Sequence, residues 1–365
     1  MAGTLMLLAA ASSCGGRARE DGGIGIGVAL NPQRPGMQSI YNGVELAVQQ
    51  INTLYGAKLG GVKVRMVRGL PDVSDAVKIA GRLVADASVV GVVGHPESGT
   101  TFGTLDEYAD TKNDGRNAVV AITPTGTSPV LTGASKWLFR LCPSDARSGR
   151  VIARFLVDSL HAQRAAVIYR NDSYGKDFAK SFADSYREVK GVIVQRDPYL
   201  AGVTAWDAYA GYIKSLKPDV LVFPGSYEDA LLALRALRKV GVTIPLIGGD
   251  ATSGLEASAA EFPNVRYIAF FVPRLATSTV AKTFVEQYTA AYKTAPDQRA
   301  ALAYDAAMLI GRAVSEVGPN RAKIREYIET VGRSIPEMDG VAGKISFDDR
   351  HDAVNKPVVI SQVGK

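Results

Sequence analysis

Val89-Val90-Gly91-Val92-Val93-Gly94, followed at once by His95-Pro96-Glu97-Ser98-Gly99-Thr100-Thr101, is the stretch that decides the fold. An apolar run without polar alternation reads as a strand buried on both faces, as in a parallel sheet. A hydroxyl-rich loop then leaves the C-terminal end of that strand, where open α/β sheets bind ligands. A helix opening at Ser98 would turn free backbone N–H groups and a positive dipole end toward the crevice. Ala118-Val119-Val120-Ala121-Ile122 repeats the pattern, with Thr123-Pro124-Thr125-Gly126-Thr127-Ser128-Pro129 behind it. Neutral hydroxyls beside a helix start suit a carboxylate held by hydrogen bonds.

Working outward, strand and helix patterns alternate. Ile24–Leu30 reads as a strand, and Ile40, Val44, Ala47, Val48 and Ile51 fall at helical spacing. Val62–Val67 reads as a strand, and Ser74 as the cap of a helix reaching Ala85. With the two opening runs this is a βαβαβαβ unit, which implies a parallel sheet covered on both faces. A second series follows. Asp145 is expected to cap a helix through Ser159; then come strands at Ala165–Tyr169, Val192–Gln195, Val220–Phe223, Pro245–Ile247 and Val265–Phe271. Helices are expected at Phe178–Val189, Trp206–Leu216 and along Ala230, Leu234, Leu237 and Val240. The chain then reads as helices Val280–Tyr292, Ala300–Val317 and Arg321–Val331, and as strands Lys344–Phe347 and Pro357–Val363.

The expected fold class is therefore α/β, with two doubly wound parallel-sheet lobes joined by three hinge crossovers. The crossovers are expected near Leu141–Pro143, Phe271–Pro273 and Ile345–Asp349. That divides the chain into a leader and tether (1–22), a first lobe (23–141 plus 273–344) and a second lobe (142–272 plus 345–365).

Bulk composition excludes several functions. The chain has 365 residues, 47% apolar and 21% charged, which is ordinary for a globular protein with a large core. The net charge of +6 is scattered, with no basic run interleaved with aromatics, so nucleic acid is not an expected partner. Two cysteines, Cys14 and Cys142, and three distant histidines offer no metal-ligand spacing, so no metal or other cofactor is expected. No apolar run is long enough to span a bilayer. Leu5–Ala11 is a short apolar stretch, with Ser12, Ser13 and then Cys14 behind it. It resembles the end of a bacterial lipoprotein signal, which would make Cys14 the lipidated N-terminus, although no basic n-region precedes it. Cys142 would then be a buried apolar thiol.

Catalytic motifs fail on context. Gly23, Gly25 and Gly27 stand at the start of a strand, whereas the dinucleotide fingerprint needs strand, turn and helix in that order. Ser173-Tyr174-Gly175-Lys176 has the Ser and Lys spacing of serine β-lactamases without the companion motifs. His95 and Ser98 could form a base and nucleophile, but nothing nearby orients the histidine and the nucleophile elbow is absent. Asn171-Asp172-Ser173 is a chance glycosylation match.

What stands out is a coincidence. Thr125 and Thr127, Tyr174, Ser226 and Tyr227, and Asp250 each follow a different expected strand. Facing sheets would bring these groups together: Ser98 and Thr127 on a carboxylate, Asp250 and the Thr125 carbonyl on an ammonium, and the Tyr174 ring as a cover. No catalytic residue is assigned.

At these residues the chain resembles the substrate-binding proteins of branched-chain amino acid ABC transporters, which have the type I periplasmic-binding fold. Asn42-Gly-Val-Glu-Leu-Ala-Val-Gln-Gln-Ile-Asn52 is similar to that family's first helix. Thr123–Thr132 and Phe139-Arg-Leu-Cys-Pro-Ser-Asp145 resemble its fourth-strand loop and first crossover. Asn171–Gly175 and Lys217–Gly225 resemble second-lobe signatures, and Ala303–Ala307 and Gly343–Asp348 the late helix and final crossover. The resemblance covers Gly23 to Lys365. It implies that Ser98, Thr125 and Thr127 bind an amino acid backbone, that Tyr174 is the second-lobe aromatic, and that Asp250 meets the α-ammonium. Ser226 or Tyr227 matches a further contact. Here the chain departs from the family pattern: Glu97, with Pro96, replaces the more apolar residues of leucine binders, and Arg34 lies in the loop that usually touches the ligand side chain, so a polar side-chain pocket is open beside a strictly aliphatic one. The resemblance implies an extracytoplasmic, membrane-anchored receptor docking on a transporter permease. Rival readings are a sensor of the same fold, a receptor for a non-amino-acid carboxylate or amide, and an α/β hydrolase.

Overall fold

The computed structural model describes residues 23–70 and 74–364, so the leader, Cys14 and the tether lie outside the described residues. Its first sheet contains β1 (Ile24–Ala29), β2 (Val64–Arg68), β3 (Val89–Gly94), β4 (Ala121–Thr123) and β5 (Leu138–Arg140) in the order β2-β1-β3-β4-β5. Every pairing in it is parallel. β1 and β3 are buried along their whole length, as expected of strands covered on both faces. The second sheet contains β6 (Arg164–Arg170), β7 (Val192–Tyr199), β8 (Val220–Phe223), β9 (Leu246–Gly248), β10 (Arg266–Ala269) and β11 (Val359–Gln362) in the order β11-β10-β9-β8-β6-β7. Its strands are parallel except β11, which runs antiparallel to β10 at the edge, so the second lobe is not wholly parallel.

Between the strands run α1 (Gln38–Tyr55), α2 (Ala76–Ala85), α3 (Ser98–Gly103), α4 (Leu105–Tyr108), α5 (Asp145–Asp158), α6 (Ser173–Glu188), α7 (Trp206–Leu216) and α8 (Tyr227–Lys239). After β10 come α9 (Thr279–Tyr292), α10 (Gln298–Val317) and α11 (Arg321–Glu329), which pack on the first sheet and on α1. The α1–α10 contact is close because Gly43 faces the backbone of α10; a Cβ there would lie 2.3 Å from the Ala300 carbonyl oxygen. No helix among the described residues is long and apolar enough to cross a membrane.

Several local expectations are corrected. Asp75, not Ser74, caps α2, its carboxylate accepting from the Val77 and Lys78 N–H groups. Ser144 holds the cap position of α5, and Asp145 is the first helical residue, buried completely. Asp172 caps α6 through the Gly175 N–H, so this helix opens five residues before Phe178 and carries Ser173 and Tyr174 in its first turn. β7 continues through Asp197 and Pro198, which an edge strand tolerates because one side needs no ladder hydrogen bonds. Lys344–Phe347 forms only isolated bridges, and the chain from His351 to Ala353 hydrogen-bonds to Arg140 in β5. Residues up to Ala353 therefore stay with the first sheet, and the chain reaches the second only at β11.

Two ion pairs built on buried charges fasten this final passage. Asp305 in α10 accepts from the Val341 and Ala342 N–H groups at 2.7 and 3.0 Å and faces Lys356 Nζ at 3.6 Å, with both side chains 1% exposed. Lys356 also donates to the Ala342 and Gly343 carbonyls. Arg140, 1% exposed, pairs with Asp352 and donates to the Ser128 carbonyl at 2.8 Å, which shapes the loop after β4.

Both sheets reverse their winding at one point, between β1 and β3 in the first and between β6 and β8 in the second. Ligands of doubly wound sheets bind at such switch points, beyond the C-terminal ends of the strands. The loops after β1, β3, β6 and β8 do meet around one cavity.

Candidate ligand-binding cleft

A cavity of about 650 Å³ opens between the two sheets, a size suited to a small organic ligand. Ser98, Thr125, Tyr174, Ser226, Tyr227, Asp250, Glu97 and Arg34 all line it. The lobes also touch beside it: α3 packs against α6, and Ser128 Oγ donates to Asp177 of α6.

On the first wall, Ser98 opens α3 and is 3% exposed. Its hydroxyl oxygen accepts from the Ser128 N–H at 3.2 Å, which leaves its own proton to donate. The first N–H groups of α3 have no partner within the helix. Thr125 Oγ1 donates to the Pro96 carbonyl at 2.7 Å, so the hydroxyl ties two loops together. Thr127 is the exception among the expected contacts. It is fully buried behind the wall and does not line the cavity. Its carbonyl accepts from the Asp145 N–H at 2.8 Å, and its hydroxyl has no hydrogen-bond partner among the described residues.

On the second wall, Asp250 is 5% exposed and its Oδ1 has no hydrogen-bond partner among the described residues. Burial pushes its carboxyl up to about 6 from 3.8, against the pull of Tyr174 and Arg299. Gln298 positions it, donating to the Asp250 carbonyl and accepting from the Phe270 N–H, both at 2.9 Å. The Tyr174 hydroxyl comes so close to Gly249 that a Cβ there would lie 2.1 Å away, and the ring packs edge-on against Phe178. Burial, then the Asp250 and Asp145 charges, hold Tyr174 well above the usual phenol range. Ser226 caps α8 and donates to Asp229 at 2.9 Å, so its hydroxyl is engaged within the wall.

Sequence reasoning placed Asp145 as a helix cap and missed its setting. Both of its carboxylate oxygens are buried and unpartnered among the described residues. Burial and the Asp250 charge hold it well above the usual carboxylate range. Arg170, Asp172, Glu228 and Arg299 also line the cavity and were not expected there. The nucleophile–base pair weighed for His95 and Ser98 does not form. His95 Nε2 lies 3.0 Å from the Tyr108 hydroxyl, and burial pushes the imidazole down to about 4, so it is neutral at pH 7. Cys142 is buried, and desolvation raises its thiol well above the ordinary value.

Two doubly wound lobes, with hydroxyls and a helix start on one wall and a buried carboxylate on the other, define a two-lobed solute receptor. The chain belongs to the periplasmic binding protein family, whose model matches residues 32–365. It is 25% identical over 358 residues to a Leu/Ile/Val-binding protein homolog from Brucella abortus, covering 97% of this chain and 93% of that protein. The substrate-binding protein LivJ of a Streptococcus pneumoniae branched-chain amino acid transporter, solved with isoleucine, superimposes with a TM-score of 0.83 at 28% identity, covering 94% of this chain and 97% of that one. An ABC transporter solute binding protein from R. palustris, solved in complex with benzoate, shares the fold at a TM-score of 0.79 and 19% identity, covering 94% of this chain and 93% of that one.

The raised Asp250 carboxyl has a consequence for the unliganded protein. A carboxyl whose value is higher folded than unfolded adds stability below about 3.8, and this is lost as pH rises through about 6. Asp250→Asn is therefore expected to stabilise the unliganded protein relative to wild type at pH 7, by on the order of 3 kcal/mol, and far less at pH 4. Urea denaturation at both pH values checks this; an equal difference at the two would contradict it.

Proposed function

We propose that this chain is the extracytoplasmic receptor of an ABC importer and that it holds one amino acid between its lobes. The observation that carries the reading is Asp250, a buried carboxylate with an unpartnered oxygen, on the same cavity as Ser98 at the start of α3. In this reading Ser98 and the α3 N–H groups hold the α-carboxylate, while Asp250 and the Thr125 carbonyl hold the ammonium. Tyr174 closes over the ligand, Tyr227 and the Ser226 backbone flank it, and Arg34 and Glu97 meet its side chain. Thr127 supports the loop from behind. The names of the Leu/Ile/Val-binding relatives favour an amino acid over other carboxylates.

The lobes are proposed as 23–141 with 273–356 and 142–272 with 357–365, the hydrogen bonds of Ala353 and Lys356 to the first-sheet side supporting the last boundary. They close about the crossovers, and the closed form docks on the permease. Cys14 is proposed as the lipid anchor on the outer face of the membrane.

Calorimetric titration of ligand-stripped protein with the common L-amino acids tests the reading. One or more is expected to bind with a Kd of about micromolar, roughly −8 kcal/mol, at one site per chain. Absence of both heat and thermal shift across the whole panel would contradict it.

A further inference from the structure

The cleft carries charge where an aliphatic side chain would need apolar cover. Arg34, Arg170, Arg299, Glu97 and Glu228 all line it. Two of the arginines are occupied. Arg34 pairs with Glu97, and Arg170 Nε lies 3.0 Å from Asp172. Arg299 is different. Among the described residues its ion-pair partner is Asp297 at 3.8 Å, beyond hydrogen-bond reach, and no side-chain hydrogen bond is formed by its guanidinium. Asp297 is already engaged, capping α10 through the Ala300 N–H at 2.8 Å and accepting from Ser39 at 3.0 Å.

Position matters as much as pairing. Arg299 stands in the first turn of α10, next to Gln298, which grips the Asp250 backbone. Its guanidinium lies against Gly36 in the β1–α1 loop, where a Cβ would come within 3.0 Å of it. Its charge reaches both Asp250 and Tyr227. Arg299 therefore bridges the two walls within reach of a ligand held at Asp250, with 22% of its own side chain exposed.

We infer that Arg299 selects an amino acid whose side chain ends in a carbonyl oxygen, a carboxylate or a carboxamide. This rests on the amino acid reading of the cleft. A guanidinium offers only N–H donors in a planar fork, and an sp² oxygen is the acceptor that fits it. A leucine-like side chain would instead strip water from Arg299 and Glu228 and return no hydrogen bond. A cationic side chain would face three guanidinium groups, with Glu97 and Asp172 already paired and Asp229 bonded to Tyr199 and Ser226, which leaves Glu228 alone to meet it among the described lining residues outside the Asp250 site.

The test is calorimetric titration of ligand-stripped wild-type protein with L-glutamate, L-glutamine, L-leucine and L-lysine, repeated on Arg299→Met. Glutamate or glutamine is expected to bind about ten-fold or more tighter than leucine and lysine, and Arg299→Met to erase that preference. The better of the two identifies a carboxylate or a carboxamide. Tightest binding of leucine or lysine to wild type would overturn the inference and leave the amino acid receptor standing. Binding of no amino acid would overturn both. The wild-type ranking decides the question even where the variant folds poorly.

Discussion

Asp250→Ala is expected to weaken amino acid binding by about 2–5 kcal/mol, roughly 30- to 4,000-fold in Kd. The carboxylate is buried, lines the same cavity as Ser98, and has an oxygen without a hydrogen-bond partner among the described residues, the acceptor proposed for the ammonium. Without it, a bound ammonium would be taken out of water with no opposite charge to meet it, a cost that truncation of one partner in a buried pair brings out in full. Asp250→Asn keeps the volume and removes the charge, so it should lose nearly as much. The same logic sets a pH dependence. Affinity should fall as pH drops below about 6, because the unliganded carboxyl is protonated there and must give up its proton to take the ammonium. Calorimetry on wild type and both variants reads all three effects; unchanged affinity in Asp250→Ala would remove the assigned role.

Asp305→Ala is expected to destabilise the protein by about 3–5 kcal/mol. The substitution leaves Lys356 buried with its charge uncompensated, and it strips the acceptor from the Val341 and Ala342 N–H groups. Burial dominates both partners, raising the Asp305 carboxyl and lowering the Lys356 ammonium. The pair is therefore a costly junction that holds only while both members are present. Asp305→Leu combined with Lys356→Met should recover much of the loss, since well-packed apolar residues often replace a buried pair without penalty. Urea denaturation followed by the fluorescence of Trp137 and Trp206 measures both. A loss below about 1 kcal/mol in the single variant would show that the junction contributes little.

Much of the fold was legible because its core strands carry one-sided information. The apolar runs of β1 and β3 admit no reading but a buried strand, and α7 and β8 were bounded correctly by their periodicity. Direction and partner were less legible. Nothing in Val359–Gln362 says that β11 runs antiparallel, and Lys344–Phe347 has a strand-like pattern but no continuous strand to pair with. Caps were misplaced by one residue at Ser74 and Asp145, where two cap-forming residues stand side by side and only backbone angles choose between them.

The cleft divides in the same way. Ser98, Tyr174 and Asp250 could be found because each follows a strand end, and strand ends converge in this fold. Arg299 follows no strand. It stands early in a late helix, and only the packing of α10 on the first sheet brings it to the cavity. Asp145 looked like an ordinary first-turn acid; its burial beside Thr127 depends on how the first crossover folds back under the β4 loop. Thr127 shows the converse. Its position in the β4 loop was right, but the loop turns its side chain inward.

The most direct test of the central claim is a crystal structure of the protein with the proposed amino acid ligand bound. The ligand ammonium is expected within about 2.7–3.2 Å of Asp250, and the carboxylate at Ser98 and the start of α3. A ligand seated outside the cleft, or turned so that its carboxylate faces Asp250, would contradict the account.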